Sequence, residues 1–129
     1  MSRIAPLIMV IDDDQDIREV LQILLQSEGY RVIGASDGLD AWEKLEKQER
    51  PSLILLDWMM PQMDGEGFMK MIRTSLYSDI PVIIMSGQKE ATNDSEGLQG
   101  HFCLVKPVEL EDLLAAVHRF ALKGPSAAA

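Results

Sequence analysis

The sequence holds a single cysteine, Cys103, so no disulfide can form within the chain. A lone thiol in an apolar stretch fits a reducing compartment, and with no activating partner assignable it reads as a packed side chain rather than a nucleophile. Aromatic residues make up only 5% of the chain and form no stripe on which nucleobases could stack. Positive charge is scarce as well. Twelve Lys and Arg face 21 Asp and Glu, and the net charge of −9 argues against a nucleic-acid-binding surface. No apolar run approaches the roughly 20 residues needed to span a bilayer. No basic region followed by an apolar span and a cleavage site is visible either. The expectation is a cytoplasmic protein without membrane or direct nucleic-acid contact. A glycine-rich loop ending in Lys-Ser or Lys-Thr is missing, and Gly34 and Gly38 do not make a dinucleotide fingerprint, which disfavours nucleoside triphosphates and nicotinamide cofactors. The methionines, including Met59, Met60, Met63, Met69 and Met71, lack accompanying soft ligands and fit packing rather than copper.

What is present is a chain of 129 residues, 47% of them hydrophobic. That length suits one domain able to bury roughly two thirds of its unfolded surface. The expected domain covers residues 1–123. Residues 124–129 are too small and weakly patterned to join a core, and read as a flexible tail.

Five short apolar segments alternate with helical patterns, which predicts an α/β layer. Leu7 to Ile11 is continuously apolar, as a parallel strand buried on both faces should be. Ile17, Val20, Leu21, Leu24 and Leu25 then repeat at helical spacing, with Asp14 or Asp16 as the cap and Gly29 at the exit. Tyr30 to Ala35 reads as the second strand. Asp37 can cap a helix carrying Leu39, Ala41, Trp42 and Leu45, which Pro51 prevents from continuing. Leu53 to Leu56 forms the third strand and delivers Asp57 at its carboxyl end. Asp64-Gly65 opens a helix with Phe68, Met71 and Ile72 facing inward. Val82 to Met85, introduced by Pro81 and broken by Ser86-Gly87, is the fourth strand, and Phe102 to Val105 the fifth. After Lys106-Pro107 a last helix repeats Leu110, Leu113, Leu114, Val117 and Ala121 on one face. Between them, Gln88 to Gly100 predicts only a short, weakly packed helix over Lys89 to Glu96, because Gly97 and Gly100 interrupt it and few apolar residues support it.

Acidic residues cluster where these strands end. Asp12 and Asp13 follow the first, Asp57 closes the third, and Lys106 follows the fifth. Open α/β sheets bind ligands outside the carboxyl ends of their strands. Crowded carboxylates call for a hard divalent cation, and Mg²⁺ accepts an octahedron of carboxylate, carbonyl, water and phosphate oxygens. Asp57 could then act as an oxygen nucleophile toward phosphorus. Lys106 would place positive charge on the phosphoryl group, and Ser86 a hydroxyl hydrogen bond. Read singly, each has a plainer explanation: a capping turn, a surface lysine, a serine ending a strand.

Together the features resemble the bacterial response-regulator receiver family, of the chemotaxis-regulator-like kind, over residues 7–121. The resemblance rests on Asp12-Asp13 after an apolar strand, Asp57-Trp58-Met59-Met60-Pro61-Gln62-Met63-Asp64-Gly65, Ser86-Gly87 and Lys106-Pro107. It implies a doubly wound, five-stranded parallel sheet of flavodoxin-like order 2-1-3-4-5. It also implies a phosphorelay role: a histidine kinase or histidine phosphotransfer protein donates a phosphoryl group to Asp57, Mg²⁺ is held by Asp12, Asp13, Asp57 and the Met59 backbone carbonyl, Lys106 contacts the phosphate, and Ser86 senses it. Such a domain is a phosphoacceptor with autodephosphorylation chemistry, signalling to an unidentified downstream protein, rather than an enzyme for external substrates. Neither His101 nor His118 presents itself as an internal donor. Two departures bear on output. The family's aromatic switch position, three before the lysine, holds Cys103, with Phe102 adjacent but pointing to the other face by strand alternation. The interval from Ser86 to Lys106 is also shortened. A phosphorylation-independent scaffold and a metal-dependent phosphoester hydrolase are the alternatives.

Overall fold

Five short strands form the centre of the molecule, and the three interior ones are apolar up to their carboxyl ends and so can be covered on both sides. The computed structural model describes residues 5–58, 65–86 and 102–122. The order is β1 (Leu7–Ile11), α1 (Gln15–Ser27), β2 (Arg31–Ala35), α2 (Gly38–Lys47), β3 (Leu53–Asp57), α3 (Gly65–Arg73), β4 (Val82–Ser86), β5 (Phe102–Val105) and α4 (Leu110–Leu122). All pairings are parallel, in the order β2-β1-β3-β4-β5. The doubly wound sheet implied by the family resemblance is therefore observed.

Strand alternation sorts the core into two layers. Met9, Ile11, Ile54, Leu56, Val82 and Ile84 pack with α2 and α3 through Ala41, Leu45, Phe68, Met69 and Ile72. Ile8, Val10, Leu53, Leu55, Ile83 and Met85 pack with α1 and α4 through Leu21, Leu25, Leu113, Ala116, Val117 and Ala121. Each Val, Leu, Ile, Phe or Met among them, once fully buried, contributes roughly 1.5–3 kcal/mol.

Asp14 is the cap of α1: its carboxylate accepts from the N–H groups of Asp16 (2.9 Å) and Ile17 (3.2 Å), so Asp16 lies within the first turn instead. Asp37 caps α2 by accepting from Asp40 N–H at 2.8 Å. Gly29 leaves α1 at φ +95°, in the left-handed region that favours glycine.

Several helical positions differ from the periodic reading. Only Leu21 and Leu25 of the α1 stripe are buried, while Ile17 and Val20 are 47% and 63% exposed. In α3 the inward residue beside Phe68 and Ile72 is Met69, and Met71 is only half-buried. Leu39 and Leu110 are exposed. Ile17 and Leu110 lie in the first turns of their helices, and Val20, Leu39 and Met71 at the edges of their apolar arcs, where packing over the sheet decides which neighbour is covered. Tyr30 precedes β2 but is buried, and it joins the α1–α4 layer. The expected helix within Gln88 to Gly100 and the expected tail at 124–129 lie outside the described residues.

Candidate metal and phosphoryl site

The strand order reverses between β1 and β3. The chain leaves β1 to build β2 on one side, then returns to lay β3 on the other. At that reversal the carboxyl ends of two neighbouring strands open into a common crevice. Asp12 and Asp13 follow β1 there, and Asp57 is the last residue of β3. Carboxylate oxygens of Asp12, Asp13 and Asp57 all lie within 4.8 Å of one another. Asp12 is 2% exposed and Asp57 4%, while Asp13 is open to solvent.

Hydrogen bonds hold this turn in place. The Asp12 N–H extends the β1–β2 ladder to the Ala35 carbonyl at 3.1 Å, and Asp12 Oδ1 accepts from Asp14 N–H at 2.9 Å. Beyond Asp57, the Trp58 N–H donates to the Met85 carbonyl at 3.0 Å, prolonging the β3–β4 pairing past the acid. Trp58 itself is buried in the α2–α3 layer, so the backbone on both sides of Asp57 is anchored.

Lys106 reaches the site from two strands away. Adjacent strands lie about 4.8 Å apart, so its stem crosses the end of β4 before Nζ meets Asp57 Oδ1 at 2.8 Å. Burial raises the Asp12 carboxyl above its ordinary 3.8. The Asp14 N–H opposes that rise, the charge of Asp57 adds to it, Lys106 opposes it, and Asp13 adds again. A buried acid with raised proton affinity beside two further carboxylates is what a hard cation would relieve. Octahedral Mg²⁺ with oxygen ligands at about 2.0–2.1 Å needs ligand separations of roughly 3–4 Å, which small inward rotations of these three side chains would supply. The donor set fits the ion.

Ser86 ends β4, and its backbone pairs in register with Val105. Its side chain is outside the described groups, as are Met59 and the whole segment 59–64. Cys103, opposite Ile84, packs against the α2–α3 layer, whereas Phe102 joins the α1–α4 layer and meets Phe120 with ring centroids 5.3 Å apart. The two neighbours point to opposite faces, as alternation requires.

A model of the family described as the response regulator receiver domain matches residues 8–118. The chain belongs to that family. Among curated relatives, a probable transcriptional regulator, ycf27, of Porphyridium aerugineum is 37% identical over 112 residues, covering 85% of this chain and 45% of that protein. This receiver chain thus spans about half the length of the curated relatives it matches. A response regulator receiver protein from Pseudomonas putida superposes with a TM-score of 0.80 at 31% identity, covering 92% of this chain and 99% of that one. The response regulator TrrA of Thermotoga maritima, solved in complex with Mg²⁺ and BeF, gives 0.77 at 27% identity, covering 89% and 98%.

Beside the receiver's acids runs an apolar groove of about 600 Å³, lined by Ile17, Val20, Leu24, Pro107, Val108 and Leu110 together with Asp12 and Lys106. Ile17, Val20 and Leu110, which failed to enter the core, therefore share a surface that borders the site. Arg18 was missed by the sequence reading. Its Nη1 donates to the Asp12 carbonyl at 2.7 Å. The available signal was its place in the first turn of α1, from which long side chains lean back toward the helix N-terminus.

Proposed function

We propose that this receiver accepts a phosphoryl group on Asp57 from a phosphohistidine on a partner protein, with Mg²⁺ held by Asp12, Asp13, Asp57 and the Met59 backbone carbonyl. The single observation that carries the reading is the convergence of three carboxylates from two neighbouring strand ends with a lysine from a third. A carboxylate oxygen of Asp57 attacks phosphorus, the bond to the imidazole nitrogen breaks, and the electron pair stays on that nitrogen, which solvent protonates. Bound Mg²⁺ supplies charge neutralisation for the phosphoryl oxygens and their alignment. Lys106 exchanges its contact with Asp57 for one with the transferred group, and Ser86 donates its hydroxyl to the same group. Hydrolysis by water returns Asp57 and inorganic phosphate.

The donor is a histidine kinase or a histidine phosphotransfer protein, and the groove beside Asp12 and Lys106 is where its apolar surface rests. The groove's continuity with the acids supports this, because a donor seated there brings its imidazole to Asp57. The downstream partner is a protein or an effector domain. Cys103 occupies the switch position without a ring, so the response passes through Ser86 and the segment 88–100 instead of an aromatic rotation; that segment lies outside the described residues. Residues 1–123 act as one domain.

Incubation with acetyl phosphate and Mg²⁺, followed by intact-mass measurement, tests the reading. One phosphoryl group is expected on the wild-type chain and none on Asp57→Asn. A rapidly formed adduct that persists in Asp57→Asn would reject Asp57 as the acceptor.

A further inference from the structure

The peptide that joins Asp12 to Asp13 is held by a side chain that no ladder supplies. The Asp12 N–H still belongs to the sheet, but β2 ends at Ala35 and the chain turns into the Asp37 cap. The Asp12 carbonyl instead accepts from Arg18 Nη1 at 2.7 Å. The stem of Arg18 runs over Gly34 of β2. A Cβ at that position would lie 3.1 Å from Arg18 Cδ and 3.0 Å from Gln22 Nε2, closer than either comfortably allows. Gly34 thus leaves the passage by which the guanidinium reaches the acidic turn.

We propose that Arg18 is a positioning residue for the acidic pair, fixing the Asp12–Asp13 peptide so that the exposed Asp13 carboxylate stays turned toward Asp12 and Asp57; this rests on the Mg²⁺ site proposed above. The Asp12 carbonyl lies in the rigid plane that carries the Asp13 nitrogen. Asp12 has burial and the Asp14 N–H to hold its carboxylate, whereas the direction of Asp13 depends on how that plane is turned. Holding the plane in advance removes freedom that cation binding would otherwise have to remove. Electrostatics acts with the opposite sign. A guanidinium near a cation site repels the cation, so its loss on charge grounds alone would tighten Mg²⁺ binding.

That opposition of signs makes calorimetric titration of the full chain with Mg²⁺ decisive, with thermal unfolding confirming that each variant is folded. Arg18→Met is expected to weaken Mg²⁺ binding about 10-fold, in the range typical of groups that orient metal ligands. Arg18→Lys, which keeps the charge and a donor, is expected to recover part of that loss. Gly34→Ala, which crowds the stem while leaving the guanidinium intact, is expected to weaken binding in the same direction. A folded Arg18→Met chain that binds Mg²⁺ as tightly as wild type, or more tightly, overturns the proposal. Should Arg18→Met not fold, unchanged affinity in Gly34→Ala overturns it and reduced affinity upholds it. A wild-type chain that takes up no Mg²⁺ rejects the metal site itself, and the role of Arg18 with it. Normal wild-type binding alongside unaffected variants rejects Arg18 alone.

Discussion

The ion pair between Lys106 and Asp57 joins groups with different surroundings. The Asp57 side chain is 6% exposed and that of Lys106 45%, so the acid has lost its water while the ammonium keeps much of its own. Such a pair is easily remade: the lysine can follow negative charge from the carboxylate to a phosphoryl group without a large desolvation cost. Lys106→Met is therefore expected to slow phosphorylation by acetyl phosphate about 10-fold or more, the equivalent of one charged hydrogen bond, while leaving Mg²⁺ affinity no weaker than wild type. Stopped-flow fluorescence of Trp58, which directly follows Asp57, would report both quantities. A parallel loss of Mg²⁺ affinity would show that Lys106 shapes the metal site and does not act on the phosphoryl group.

The helices α1 and α2 are anchored at their starts by Asp14 and Asp37, and α2 carries a second tie through Asp40. Burial alone would raise the Asp40 carboxyl, but the Ser36 N–H at 3.0 Å and the Lys44 ammonium at 3.2 Å outweigh it and hold the group below its ordinary 3.8. Lys44 also donates to the Gly34 carbonyl, so the same cluster fastens the end of β2 beneath the Arg18 stem. Because the folded value is depressed, the stabilisation is whole above pH 3.8 and is lost as pH falls through the lower folded value. The stability gap between wild type and Asp40→Asn, followed by urea unfolding, is expected to be constant from pH 7 to above pH 3.8 and to shrink below it. A gap independent of pH down to the acid transition would show that Asp40 acts only as a neutral hydrogen-bonding group.

For the whole molecule, the reversal of strand order has an energetic consequence. The fold brings together three carboxylates that repel one another, and in two of them water has been stripped away. A ligand that binds only the folded state returns that energy by mass action, about 2.7 kcal/mol at a concentration 100 times its dissociation constant. Mg²⁺ is expected to raise the thermal midpoint of the wild-type chain in a concentration-dependent way, and chelation to reverse it. In Asp13→Asn the increment should largely vanish even though the metal-free chain unfolds at or above the wild-type temperature, since one repelling charge is gone. Equal Mg²⁺ increments in both chains would mean that the ion stabilises the protein from elsewhere.

The strands and their carboxyl-end residues were legible from the sequence because a fully buried parallel strand must be apolar throughout, and a charge can appear only where it ends. Asp12, Asp57 and Lys106 stood out for that reason. The caps at Asp14 and Asp37 follow equally local chemistry. Which apolar helical residues enter the core was not legible at the edges and in the first turn of each stripe. The placement of α1 over β1 and β2 buries Leu21 and Leu25 while leaving Val20 and the first-turn Ile17 along the groove. The same holds for Met69 over Met71. The hold of Arg18 on the Asp12 carbonyl depends on β2 ending where it does and on the space above Gly34, which no window of sequence contains. Local chemistry set what the ends of the strands carry. Their convergence, and the groups that keep them aligned, required the sheet to be assembled in its reversed order, because only tertiary packing places neighbours that are distant in the chain.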